Sequence, residues 1–112
     1  MKLKQKDIGA VTVLELHGDV LGGADATELN ETLRNLVAGG KRSLVLDLSE
    51  VEYMNSSGLG MMTSALSSVK NSGAVLKLAN PAERIKSLLV ITKLIKVFES
   101  HDSVSEAVAS FK

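Results

Sequence analysis

The sequence predicts an α/β domain with a mixed sheet of four to five strands and about four helices. Short apolar segments typical of strands alternate with segments in which apolar residues recur every three or four positions, as in amphipathic helices. Two strand-like segments open the chain, which predicts an antiparallel pair, whereas helices connect the later strands, which predicts parallel pairing. The 112 residues fit one domain, residues 1–112.

The composition excludes several functional classes. Thirteen basic and thirteen acidic residues give zero formal net charge, and no basic run is long enough to follow a phosphate backbone, so we expect no direct nucleic-acid binding. The absence of cysteine excludes disulfides, thiolate metal sites and cysteine nucleophiles. No segment approaches the roughly 20 apolar residues of a membrane span, and residues 1–6 lack the apolar core of a secretion signal. We therefore expect a soluble, cytoplasmic protein without membrane insertion.

The first two strands are predicted to form a hairpin. Residues Val11 to Leu16 alternate between apolar and polar side chains over much of their length, and an edge strand around Leu3 to Ile8 precedes them. Gly9 lies between the two segments, so the turn is placed there.

The first helix is predicted to begin after a glycine-containing loop over residues 19–24. Asp25 and Glu28 resemble a capping pair at its start, and Gly39 with Gly40 ends it. The apolar positions of this helix are Ala26, Leu29, Leu33, Leu36 and Val37.

The junction after the third strand is the most informative part of the chain. The apolar run from Ser43 to Leu48, with Asp47 as its one charge, is typical of a strand covered on both faces. A helix is predicted to begin near Ser56 or Ser57 and to end at Ser72. Its apolar stripe comprises Leu59, Met62, Leu66 and Val69. The residues of the junction are Asn55, Ser56, Ser57, Gly58, Leu59 and Gly60.

A phosphate would be favourably placed at this junction. The first N–H groups of a helix have no partner within the helix, and the helix start carries partial positive charge. A serine hydroxyl at Ser56 or Ser57 is therefore a candidate phosphate carrier. The alternative is structural, because Asn and Ser are favoured N-cap residues and glycine relieves a tight strand-to-helix connection.

The segment after the second helix is predicted to contain a strand and a third helix. The strand covers Val75 to Ala79, and the helix runs from Pro81 to about Thr92 with Asn80 as its cap. More apolar residues occur from Leu88 to Ile95 than one buried stripe requires. Core packing explains most of them, and a protein-binding surface is the alternative.

The chain is predicted to end with a short strand and a fourth helix. The strand covers Val97 to Glu99, and Ser103 with Glu106 forms a capping box at the start of the helix. The apolar face of this helix comprises Val104, Ala107, Val108 and Phe111.

The glycines of the junction do not form a known nucleotide-binding loop. Gly58 and Gly60 lack the third glycine of a dinucleotide-binding loop, because position 63 is Thr63. No Gly-Lys-Ser/Thr follows, as a Walker phosphate loop would require. Nucleotide binding at the helix start is therefore only a third hypothesis.

The sequence gives little support for hydrolysis or metal binding. The serines lack the elbow of serine hydrolases, and His17 and His101 are the only histidines available as a base. Asp19 and Asp47 could share a cation with the Ser56 region, but isolated carboxylates near strand ends more often bind loop backbone. We expect no metal, no cofactor and no enzymatic activity.

The whole chain resembles the sulfate-transporter and anti-sigma-factor-antagonist (STAS) domain family, most closely its stand-alone bacterial members, the anti-sigma factor antagonists. The most specific segment runs from Leu46 to Gly60 and is similar to the family's strand, Asp-Ser-Ser/Thr-Gly-Leu-Gly turn and following helix. The segment from Val13 to Val20 is similar to the family's earlier strand and glycine turn. The resemblance implies a single STAS-like domain.

The resemblance also implies a phosphorylation switch. In phosphorylated members, a partner kinase that is also the anti-sigma factor modifies the first serine of the turn, the position of Ser56, and a serine phosphatase resets it. Unmodified protein would bind the anti-sigma factor and release a sigma factor, whereas phosphorylated protein would dissociate. The implied partner-binding residues are Asp19, Asn55, Ser56, Ser57, Gly58 and Leu59.

Two residues depart from the family pattern. Asn55 precedes the acceptor where the family often has Asp, and Leu21 stands where it often has an acidic residue. These departures motivate an alternative, a non-phosphorylated STAS adaptor subunit of a transport or signalling complex, in which Ser56 only caps the helix. The sigma factor, the kinase and the oligomeric state are left open.

Overall fold

The computed structural model of the chain describes residues 1–111, which form five strands, four α-helices and one short 3₁₀ helix. Strands β1 to β5 span Lys2–Ile8, Val11–His17, Ser43–Glu50, Val75–Ala79 and Ser100–His101. Helices α1 to α4 span Ala24–Ala38, Ser56–Asn71, Glu83–Ile91 and Val104–Ala109, and the 3₁₀ helix spans Leu94–Lys96. The predicted α/β class is confirmed.

A single mixed sheet carries the strands in the order β1-β2-β3-β4-β5. The β1/β2 pair is antiparallel, and the other three pairs are parallel. Ile8 pairs with Val11 beside the turn, and Gly9 has a φ of 60°, a conformation that glycine adopts without a steric cost. The predicted hairpin and the parallel connections are confirmed.

Helices cover both faces of the sheet. Alternate residues of the central strand β3, Leu44, Leu46 and Leu48, belong to the main core together with α1, α2 and α3. Val45, between them, belongs to a smaller core on the side of α4. Both faces of β3 are therefore buried, which explains its unbroken apolar run.

The predicted apolar faces of the helices pack as expected. In α1, Leu29 and Leu33 are buried, while the other predicted positions are partly buried against the core. The α4 face packs on the smaller core, and the Ser103 hydroxyl oxygen accepts a hydrogen bond from the Glu106 N–H at 3.0 Å, which confirms the cap. All four residues of the predicted α2 stripe are buried, namely Leu59, Met62, Leu66 and Val69.

Two predicted helix starts are wrong. The residue that precedes α1 is Gly23, which makes no side-chain cap hydrogen bond, so Asp25 and Glu28 are not a capping pair. The third helix begins at Glu83 rather than at Pro81. The reason is that Asn80 has a φ of 55° and donates its side-chain N–H to Asp47 at 3.1 Å, which binds Asn80 to β3 rather than to the helix.

The predicted last strand is also wrong in position. The chain pairs with β4 at Ser100–His101, because Val97 lies in a turn and Phe98 inserts its side chain into the main core. The backbone N–H of Leu78 donates to the Glu99 carbonyl oxygen at 2.9 Å, where this pairing begins.

A polar cluster holds the last helix against the sheet. The Lys77 ammonium, on a side chain that is 9% exposed, lies 2.8 Å from the Glu99 carboxylate and donates to the hydroxyl oxygen of Ser110 at 2.8 Å. The His101 imidazole lies 2.6 Å from the same carboxylate. The hydrogen bond from Lys77, followed by that from His101, lowers the pKa of Glu99.

Within residues 1–111, none of the helices is both long enough and apolar enough to cross a bilayer.

Candidate functional site

Asn55 is the residue that caps α2. Its backbone is extended, with φ −91° and ψ −178°, and its side-chain oxygen accepts a hydrogen bond from the Gly58 N–H at 2.7 Å. Its carbonyl oxygen accepts from the Leu59 N–H at 2.9 Å. The amide oxygen of Asn and a carboxylate oxygen of Asp fill this position equally well. The departure from the family pattern at Asn55 therefore keeps the helix cap and removes a charge.

The loop after β2 packs directly on the start of α2. The Val20 N–H donates to the Tyr53 carbonyl oxygen at 3.0 Å, and the Asn55 N–H donates to the Val20 carbonyl oxygen at 3.3 Å. A β-carbon on Gly58 would collide with that same carbonyl group. Only glycine permits this close approach, so Gly58 sets the distance between the two loops.

Gly22 supports the same contact from the other side. Its φ is +85°, and a β-carbon on it would lie 2.9 Å from the Ser57 β-carbon. The β2–α1 loop, which contains the exposed Asp19 and Leu21, is therefore placed beside the α2 start by backbone packing.

The structure separates the predicted site residues into exposed and buried groups. Ser56 and Ser57 are exposed on the first turn of α2, and Asn55 is half-buried. Gly58 is buried, and Leu59 is 7% exposed as part of the main core. Asp19 is exposed on the neighbouring loop. The fold thus brings all six residues to one end of the domain.

The first turn of α2 is suited to an anion. The first turn contains no acidic residue, and 16 residues of helix contribute to the partial positive charge at this end. A negative group on Ser56 would be stabilised by that charge.

A cavity of about 390 Å³ lies between the start of α2 and helix α3. It was not apparent in the sequence, because no local motif links α3 to the Ser56 segment and only the packing of the two helices brings them together. The lining residues are Tyr53, Met54, Asn55, Ser56, Leu59, Arg84, Ile85, Leu88 and Thr92.

The residues considered for catalysis or metal binding lie elsewhere. Neither His17 nor His101 lines the cavity; their imidazoles lie 3.4 Å from Glu15 and 2.6 Å from Glu99, respectively. Asp47 accepts from the Ser49 N–H at 3.0 Å and from Asn80. Within residues 1–111, no three His, Cys, Asp or Glu side chains gather in a way that could hold a metal ion.

Known proteins show the same fold and part of the same sequence. A candidate anti-sigma factor antagonist of Thermotoga neapolitana is 37% identical over 68 residues, 61% of this chain and 60% of that protein. The crystal structure of a candidate anti-sigma factor antagonist from Thermotoga maritima has a TM-score of 0.85 and 25% identity, covering 96% of this chain and 92% of the other.

The Bacillus cell-fate determinant SpoIIAA, in its phosphorylated form, shares the fold alone. Its TM-score is 0.74 at 13% identity, with 99% of this chain and 100% of that chain covered. The sequence profile described as the STAS domain matches residues 2–107, nearly the whole chain. From this match, supported by the shared fold, the chain belongs to the STAS domain family.

Proposed function

We propose that this protein is an anti-sigma factor antagonist, a binding module without catalytic activity that is switched by phosphorylation of Ser56. In its unmodified form it binds an anti-sigma factor that is also a serine kinase, and thereby frees a sigma factor. Phosphorylation by that kinase ends the binding, and a serine phosphatase restores it.

The observation that carries the proposal is the exposed hydroxyl of Ser56 on the first turn of α2. Because Asn55 caps the helix, Ser56 is not needed as a cap. Among residues 1–111, its hydroxyl has no hydrogen-bond partner. An exposed hydroxyl that makes no structural hydrogen bond is accessible to a kinase. This supports phosphorylation of Ser56 over a role as the helix cap.

The electrostatics of the helix start agree with a switch that needs no refolding. Phosphorylation adds about −1.5 to −2 charges at neutral pH, which the α2 terminus stabilises in the free protein. A partner surface that fits an uncharged Ser56 would then face like-charge repulsion and desolvation costs. The modification changes which surface can dock, while the core beneath it, including Leu59, stays as it is.

The names of the similar proteins support the same function. The Thermotoga proteins are named as candidate anti-sigma factor antagonists, and SpoIIAA has a phosphorylated form. The aligned segment spans only 60% of the length of the T. neapolitana protein, so partner and regulation are carried to this chain as proposals.

The test is a binding titration with the anti-sigma kinase encoded in the same genome. Ser56→Ala should bind as tightly as the unmodified protein, and Ser56→Asp should bind at least about tenfold more weakly, a difference of about 1.4 kcal/mol. Ser64→Asp is the matched control, because it adds the same charge at an exposed position two turns further along α2. Equal affinity of Ser56→Ala and Ser56→Asp would contradict the switch.

A non-phosphorylated adaptor is the second candidate, and the uncharged Asn55 favours it, since the chain lacks the acidic residue that the phosphorylated members often carry there. Co-purification with a transporter ATPase, with no phosphopeptide containing Ser56, would support the adaptor and contradict the switch.

A further inference from the structure

The cavity beside Ser56 contains a single charged side chain. Of its nine lining residues, only Arg84 carries a charge, and the others are apolar or neutral and polar. Ser56 at the start of α2 and Arg84 at the start of α3 line the same cavity of about 390 Å³. The cavity lining is therefore cationic, and Ser56, which carries the candidate acceptor hydroxyl, belongs to it.

The exposed Arg84 adds its charge to the positive potential at the start of α3. It lies in the first turn of α3, where the partial positive charge of the helix start disfavours a cation. The residue that precedes the helix, Ala82, makes no side-chain cap hydrogen bond, so the first N–H groups of α3 add to the positive potential. Among residues 1–111, no carboxylate lies within 4.0 Å of the Arg84 guanidinium.

The acidic residues of the neighbouring segments, among residues 1–111, do not line this cavity. Glu83 lies 3.8 Å from the ammonium of Lys86, which also binds Asp102 at 3.0 Å. Glu52, in the β3–α2 connection, and Asp19, in the β2–α1 loop, are exposed, and neither lines the cavity. Among residues 1–111, Arg84 is thus the one charged group that lines the cavity with Ser56.

We propose that Arg84 binds the phosphate of phosphorylated Ser56 across this cavity, linking the first turn of α3 to the first turn of α2. The inference rests on the proposed function, because the phosphate must be on Ser56. A guanidinium donates two parallel N–H bonds to phosphate oxygens, which a neutral side chain cannot replace. The link would cover Leu88, a half-buried residue of the cavity lining, and so withdraw this apolar surface from a partner.

The test uses full-length protein carrying phosphoserine at position 56, installed during synthesis by an expanded genetic code. The second ionisation of the phosphate, ordinarily near pH 6, is followed by phosphorus NMR as the pH is varied. A nearby guanidinium favours the dianion, so Arg84→Gln should raise the titration midpoint by about 0.5 to 1 pH unit, a value that allows for solvent screening. The difference should shrink as salt is added.

Arg34→Gln is the matched control, because it removes the same charge from an exposed position of α1 outside this cavity. Its midpoint should equal that of the wild-type phosphoprotein. Circular dichroism of each unphosphorylated variant checks that the fold is retained, and Arg84→Met, which also removes the charge, replaces Arg84→Gln if the latter does not fold. Equal midpoints for wild type and the Arg84 variant, or equal shifts for the Arg84 and Arg34 variants, would overturn the inference.

This test does not depend on a kinase. If phosphoserine 56 titrates as expected but native protein never carries a phosphate, the Arg84 contact stands and the proposed function fails. If native protein is phosphorylated but the midpoint is insensitive to Arg84, the proposed function stands and the Arg84 contact fails.

Discussion

The carbonyl oxygen of Val20 occupies the space that a β-carbon on Gly58 would need. The backbone of the β2–α1 loop is therefore in direct contact with the first turn of α2. Two hydrogen bonds, from Val20 to Tyr53 at 3.0 Å and from Asn55 to Val20 at 3.3 Å, hold the loops in that register. The surroundings of Ser56 are thus set by direct backbone contact between the β2–α1 loop and the first turn of α2.

Gly58→Ala should destabilise the protein. In an ordinary helix position, replacing glycine with alanine is worth up to about 1 kcal/mol in favour of alanine. At Gly58 the added methyl group must displace the Val20 carbonyl, so we expect a net loss of at least about 1 kcal/mol in the free energy of unfolding. Urea denaturation measures it.

The chain supplies its own control for this prediction. Gly60 lies in the same helix, and among residues 1–111 a methyl group added to it would meet no atom within 4 Å beyond its chain neighbours and the adjacent helix backbone, so Gly60→Ala should leave stability unchanged or raise it. If Gly58→Ala behaved like Gly60→Ala, the close contact with Val20 would be refuted.

Asn55→Ala should cost about 1 kcal/mol in the free energy of unfolding, because the Gly58 N–H loses its capping acceptor. Asn55→Asp should retain the cap and be at least as stable, since a carboxylate is favoured near a helix start. Thermal unfolding of the two variants measures the difference. Asn35→Ala, at an exposed position within α1, is the control and should show no loss; an equal loss at both positions would argue against the cap.

Stability should fall in acid partly through Glu99. The pKa of its carboxyl is held below the ordinary 4.5 by the hydrogen bond from Lys77, and then by that from His101. The unfolded chain therefore binds this proton more readily than the folded protein does. The contribution is complete above about pH 4.5 and is lost as the pH falls through the lowered folded value.

Glu99→Gln should remove this part of the pH dependence. It should also cost about 1 kcal/mol at neutral pH, because the buried Lys77 ammonium loses its charged partner and keeps only neutral acceptors and the Phe111 ring. Denaturation curves between pH 3 and pH 7, an interval of about four units around the carboxyl pKa, measure both effects. Glu31→Gln, at an exposed position of α1, is the control, and an unchanged acid limb in Glu99→Gln would contradict the assignment.

Local features of the fold could be predicted from the sequence, because they depend on residues that are close in the chain. The α2 stripe, the start of α2 at Ser56 and the Ser103 cap each involve partners within one or two helical turns. The start of α3 could not be predicted, because Asn80 is bound to Asp47, 33 positions away. The position of β5 depends likewise on the insertion of Phe98 into the core.

The same distinction holds for the candidate site. The Asn55–Leu59 segment stands out in the sequence, since its capping residue, hydroxyls and glycine are consecutive. Arg84 does not stand out, because the residues around it in α3 form no motif that would link it to Ser56. Only tertiary packing places both residues in the lining of one cavity. Leu59 was expected in the partner surface, and the structure places it 7% exposed in the core beneath that surface.

The central claim is that Ser56 carries a regulatory phosphate. Its most direct test is peptide mass spectrometry of the protein purified from its native cells in several growth phases and under stress. The account predicts a single phosphate assigned to Ser56, with an occupancy that changes between conditions. The absence of any phosphate on Ser56 in every condition would contradict it and would favour the adaptor.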